Sequence, residues 1–320
     1  MKTKVIKNAI LLTITALALC ASPIIALADG CIGQTTWTGA IDNNWFTAGN
    51  WSHGVPTAGT DAEIDNGGTA NIDSAGAVAC DLILGFNAAD TGYVSVNGGG
   101  LTVGSEVEVG AYGKGTLKIT NGATITAGLL TIAALQNVSG SPSNGTVTVD
   151  GGTFTASGRC DVGGDNGTQG GVALLSVTNG ATVSAGNVHV YGSGTLAGNG
   201  TFSTTNGTNV EGTVSPNWTL TINGDLTFAS SSALMQCNVT SANLNSVDAE
   251  VTGTARLNGK LSVTLNGTFT TPAVFHLLHA HTLLYTFSSY SFTYTGCLSP
   301  SIVYHYDTGY VDLHVDSSCQ

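Results

Sequence analysis

The sequence predicts an all-β chain folded as a right-handed parallel β-helix, and three observations carry that expectation. First, Gly115-TLKITNGATITAGLLTI-Ala133 is answered residue for residue by Ala173-LLSVTNGATVSAGNVHV-Tyr191, 58 positions later. Gly92-YVSVNGGGLTVGSEVEV-Gly110 and Gly145-TVTVDGGTFTASGRCDV-Gly163 are further copies of the same unit. A unit that recurs while its connections vary in length completes its core only against its neighbours, which is the logic of a solenoid. Second, apolar and polar residues alternate within each copy, the period of a strand with one buried face. Third, 44 glycines and only 9% charged residues fit short strands joined by sharp turns, and no long stretch has helical periodicity.

Residues 1–28 read as a secretory leader. Lys2, Lys4 and Lys7 precede the apolar run from Ala9 to Ala21, and Ala26-Leu27-Ala28 supplies small residues where cleavage occurs. Three of the 8 Lys and Arg lie in this leader, so five cations face all 20 acids in the remainder. A surface so acidic cannot neutralise phosphates, which excludes nucleic acid as a partner class. No apolar run after residue 30 approaches the roughly 20 residues of a membrane helix.

Residues 29–67 form a capping module. Trp37, Trp45 and Trp51 are three of the four tryptophans in the chain. Buried aromatic area would cover the open end of a solenoid, whose first strands otherwise present unpaired backbone; an aromatic sugar platform is the rival reading.

Coils occupy 68–228, with starts near residues 68, 92, 115, 145, 173 and 194. Asn121-Gly122 and Asn179-Gly180 mark one corner, because these residues tolerate positive φ. Alternation assigns Val94, Val96, Leu117, Ile119, Val147, Val149, Leu175 and Val177 to one inward ladder. Leu82, Leu84, Val107, Val109, Leu130, Ile132, Cys160, Val162, Val188 and Val190 form a second. Extra residues at 135–144 and 164–172 follow the same strand in consecutive coils and should project from one side. The remaining 229–320 read as a β-rich end region.

The order of segments after Gly194 resembles the C-terminal part of β-helical autotransporter-type passengers and their strand repeats. It runs through Gly194-TLAGNGTFSTTNGTNVEGTVSP-Asn217, Leu220-TINGDLTF-Phe228, Asp248-AEVTGTARLNGKLSVTL-Leu265 and Val274-FHLLHAHTLLYTF-Phe287. The tryptophan-rich opening resembles the N-terminal module of the same secreted group. The resemblance implies an extracellular β-helix used in adhesion or as a passive scaffold. Relatives of that kind add an outer-membrane barrel of alternating strands, and no such segment follows here, so a released or assembled product is expected.

Outward positions next to the second ladder stack as Asp81, Glu106, Leu129, Arg159 and Asn187, and as Ile83, Glu108, Thr131, Asp161 and His189. Asp81 and Glu106 on adjacent coils would suit a carboxylate pair of the glycosidase type. With Glu108 and Asp161 they would offer calcium an all-oxygen face. Arg159 and His189 read as isolated, and the plain reading is solvated carboxylates on a sheet face. Asp61, Glu63 and Asp65 likewise read as a solvated edge strand. His276, His279 and His281 cluster without a marked third or fourth ligand, so they read as ordinary strand residues rather than a metal site. Thr124-Ile125-Thr126, Thr153-Phe154-Thr155 and Thr182-Val183-Ser184 suggest a hydroxyl-lined row. Counting along the chain puts its middle copy one residue out of register, which argues against an ice-binding array.

Six cysteines follow the leader. Cys31–Cys80 and Cys297–Cys319 are expected as local staples at the two ends, with Cys31 and Cys319 as an intersubunit link the alternative. Cys160 sits on an inward ladder and should be a buried thiol; three coils at ~4.8 Å each separate it from Cys80, too far for a disulfide. Together these readings predict a secreted, non-enzymatic solenoid without a required cofactor, calcium aside. Its partners would be an extracellular glycan or protein surface, or copies of itself end to end. A carbohydrate-binding or carbohydrate-cleaving β-helix is the alternative.

Overall fold

The computed structural model describes residues 30–135, 142–244 and 246–318. The chain is nearly all β and winds into a parallel solenoid of about ten turns. The first strand of each turn contributes to a ten-stranded parallel sheet running from Asn66–Ile72 to Ser289–Thr293. The second and third strands of the turns, such as Thr124–Ala127 and Leu129–Ile132, belong to a twenty-stranded sheet. Stacking does not stop at Phe228. Leu234–Thr240 pairs in parallel with Lys260–Asn266, which pairs with Ser289–Thr293.

The predicted ladders are the core. Val107, Leu130, Cys160 and Val188 are consecutive register partners, all inaccessible to solvent. Their period of two forces this: each inward residue is followed by one that faces out, so like positions meet in every turn. Corner chemistry also follows the sequence, since Asn121 and Gly122 both take positive φ, at 56° and 74°. Burying one apolar side chain of this size stabilises by roughly 1.5–3 kcal/mol, and the gain is realised only when the neighbouring turn is in place.

One register expectation is corrected. Thr124, Thr153 and Thr182 are direct partners, as are Thr126, Thr155 and Ser184, and Thr201 with Ser203 extends the row. The corner before Thr153 is one residue shorter than its neighbours, Gly151-Gly152 against Asn121-Gly122-Ala123, and this absorbs the offset. Buried Phe154 is thereby kept between Ile125 and Val183. Packing sets the register and the turn adapts.

At the N-terminal end, Trp37 and Trp45 both pack edge-on against Trp51, with centroids 4.9 and 4.8 Å apart. All three are buried, and Trp51 Nε1 donates to the Trp45 carbonyl at 2.8 Å. Buried Asn50 holds the intervening loop, accepting from the Ile41 and Asp42 amides. The module covers the first coil through backbone bonds: Trp45 N donates to Asn71 O, and Asn71 N to Asn43 O. A disulfide joins Cys31 to Cys80, as expected. It removes Cys31 as an intersubunit link. Cys160 and Cys237 are free and buried. Cys297 is disulfide-bonded, while Cys319 lies outside the described residues. The far end is closed by a hairpin, Leu298–His305 and Tyr310–Ser317, antiparallel to itself and to Ala273–Leu284.

Candidate functional site

Both predicted outward stacks exist, with Glu108, Thr131, Asp161 and His189 as successive partners in one of them. Their environment differs from the expectation of solvated carboxylates. Asp161 is 1% exposed, Thr131 is fully buried and Asp81 is 8% exposed; Glu106 and Glu108 are half-buried. Part of the cover is a two-stranded hairpin, Gly164–Asp165 against Thr168–Gln169, inserted after the strand that carries Asp161. This is the insertion expected at 164–172, and the structure turns it back over the sheet; most of its counterpart at 135–144 lies outside the described residues.

Arg159 fastens the hairpin. Its Nε donates to Asp161 Oδ2 at 2.5 Å and its Nη2 to Asp165 Oδ1 at 2.6 Å. Asn166 N also donates to Asp161, and Gly167 N donates to the Tyr191 hydroxyl at 2.7 Å. Tyr191 stacks on His189 with centroids 4.0 Å apart, and His189 faces Glu211 at 3.4 Å. Arg159, read as isolated, is therefore an anchor of the covering loop, and His189 packs against Tyr191, whose hydroxyl accepts from that loop. Of the residues that sequence reasoning missed here, Asp165 lies in the insertion and carries no periodic signal, while Tyr191 ends its repeat where the other copies have Gly110, Ala133 and Gly163.

The acids divide into distinct roles. Asp81 Oδ1 accepts the Glu106 amide at 2.8 Å, a bond that ties one turn to the next. The Glu106 carboxylate accepts the Thr131 hydroxyl. Burial pushes Glu106 up to about 7, against the pull of that hydroxyl and with the Asp165 charge adding to the rise. Burial raises Glu108 further, to about 8, reinforced by Glu106, Asp165 and Asp81. At neutral pH Glu108 is thus largely a neutral acid, and Asp161 is committed to a guanidinium. The four residues Asp81, Glu106, Glu108 and Asp161 share one face, on which Asp81 holds a backbone amide, Glu106 a hydroxyl and Asp161 a guanidinium.

A second acidic group also departs from expectation. Thr60–Ile64 is no edge strand, because Gly33–Thr36 pairs along its outer side and Leu82–Leu84 along its inner side. Asp61 and Glu63 are consequently buried, at 2% and 8% exposure. Burial, then Asp65, raises Glu63 to about 8. Cys31, Asp61 and Cys80 are close enough to group as ligands, but the two sulfurs are bonded to each other, so no thiolate is offered.

The histidines do not act as one cluster. His276 Nδ1 lies 2.7 Å from Asp312, His279 Nδ1 lies 2.7 Å from Glu250, and His281 is exposed. Elsewhere, Thr227, Phe228, Arg256, Asn258 and Tyr285 line an open depression of about 610 Å³. Tyr285 is 68% exposed there and has positive φ. No helix among the described residues is long and apolar enough to cross a membrane. Comparison with known proteins returned no match to a family model, to a curated protein or to a solved structure.

Proposed function

We propose that the protein is a secreted, non-enzymatic solenoid serving as a surface, matrix or filament component. The observation that carries this reading is the engagement of the outward carboxylates. Asp81 holds a backbone amide, Glu106 a hydroxyl, and Asp161 the arginine that fastens a loop. Such contacts bind turn to turn and loop to rod, which is the work of a scaffold. The leader-like start and the resemblance to passenger-type proteins support an extracellular location.

The test pairs activity with assembly. Purified protein incubated with a panel of plant, algal and bacterial polysaccharides should release no reducing ends, while sedimentation and negative-stain microscopy should detect self-association or adsorption to a surface. Release of reducing ends by the native chain, lost in Glu106→Gln or Glu108→Gln, would overturn the scaffold reading.

A second reading rests on Tyr285. An exposed aromatic in a strained backbone conformation, beside Arg256 and Asn258, is the arrangement of a sugar-stacking surface. A glycan array would support carbohydrate binding if it gave a saturable hit that Tyr285→Ala abolishes.

A further inference from the structure

At the C-terminal end, Tyr310, Asp312 and His314 alternate with Val311, Leu313 and Val315, which are completely buried. The alternation puts Asp312 and His314 on the outer face of the closing hairpin. The antiparallel register then delivers histidines from both neighbouring strands. His276 on Ala273–Leu284 is the direct partner of Asp312. On the opposite side His305 is the direct partner of Tyr310, one step along from Asp312. The Asp312 side chain is only 8% exposed and its carboxylate lies between two imidazoles: Oδ1 is 2.7 Å from His276 Nδ1, and Oδ2 is 3.2 Å from His305 Nε2. Ligand atoms of His305, Asp312 and His314 all lie within 4.8 Å of one another.

We propose that His305, Asp312 and His314 form a binding site for a divalent transition-metal ion of the zinc class, with His276 orienting the carboxylate. Two ligands held ~2.0–2.2 Å from a tetrahedral centre are ~3.3 Å apart, close to the 3.2 Å between His305 Nε2 and Asp312 Oδ2. His314 closes the set with a side-chain shift of no more than ~1.5 Å, which its half-exposed position permits. Two imidazoles and one carboxylate favour a borderline ion over calcium, which takes oxygen. The hydrogen bond from His276 to the other carboxylate oxygen is the outer-sphere support such ligands use. The remaining coordination positions face solvent. The ion would pin the two strands of the closing hairpin to each other.

The experiment is a calorimetric titration of chelator-treated protein with zinc chloride, alongside thermal unfolding with zinc or calcium. One zinc ion per chain should bind, raising the unfolding temperature by several degrees where equal calcium does not. His305→Ala and His314→Ala should each weaken binding by at least ~100-fold, and His276→Ala by ~10-fold. His281→Ala, on the same strand as His276 but outside the cluster, should leave binding unchanged. Each variant is compared with itself in chelator, so that the shift zinc adds, and not the metal-free unfolding temperature, which falls when Asp312 loses His276 or His305, separates loss of the site from loss of fold. Absence of saturable zinc binding, or binding that survives the His305→Ala/His314→Ala double substitution, overturns the assignment.

Discussion

Ala133 occupies a corner that the turns on either side give to glycine. It follows Ile132, whose register partners Val109 and Val162 are followed by Gly110 and Gly163. Gly110, Ala133 and Gly163 all have positive φ, at 77°, 55° and 85°. A left-handed conformation costs a side chain roughly 1–2 kcal/mol, partly offset in glycine by its greater freedom when unfolded. Ala133→Gly should therefore stabilise the protein by about 0.5–1 kcal/mol, read as a higher urea midpoint at unchanged slope. The glycine pattern of this corner is visible in sequence, and so is the exception. That the chain nevertheless stays left-handed at Ala133 is a demand of the coils above and below.

The covered acidic strand makes a prediction at the scale of an element. Glu108 has a folded-state value raised to about 8 from an ordinary value of 4.5. The folded chain thus holds a proton that the unfolded chain has released across that interval. Its stabilising contribution is complete below about pH 4.5 and is lost as pH rises through 8. Relative to the native chain, Glu108→Gln should gain stability at pH 8, by roughly 1–2 kcal/mol after solvent screening. At pH 4.5 the two should unfold at nearly the same temperature. A pH-independent difference in thermal scans would show that the carboxyl is not the source. The outward direction of Glu108 was legible from alternation. Its burial was not, because the covering hairpin is an insertion that returns to the rod through Arg159, Asp161 and Asp165.

Over the whole molecule, stability depends on how the ends of the stack are closed. An interior turn is supported by coils on both sides, whereas the first has on its outer side the tryptophan module and the Cys31–Cys80 bond. That bond closes a sequence separation of 49 residues, for which loop entropy corresponds to about 4 kcal/mol. Cys31→Ser with Cys80→Ser should cost about 2–4 kcal/mol, measured by denaturant unfolding without reductant. The protection lost in hydrogen exchange should be concentrated in the first turns, because each turn contacts only its neighbours.

What the sequence by itself determined is the solenoid and its inward ladders. These follow from a period of two repeated at matching positions, so that each apolar residue has an equivalent one turn away. The thiol of Cys160 was placed correctly for the same reason. Only the tertiary structure decided the true register of the threonine row, the burial of the acids and the meeting of His276, His305, Asp312 and His314. Each depends on a length or a direction that periodicity does not encode: one residue removed from a corner, a loop folding back, and a closing hairpin that reverses strand direction.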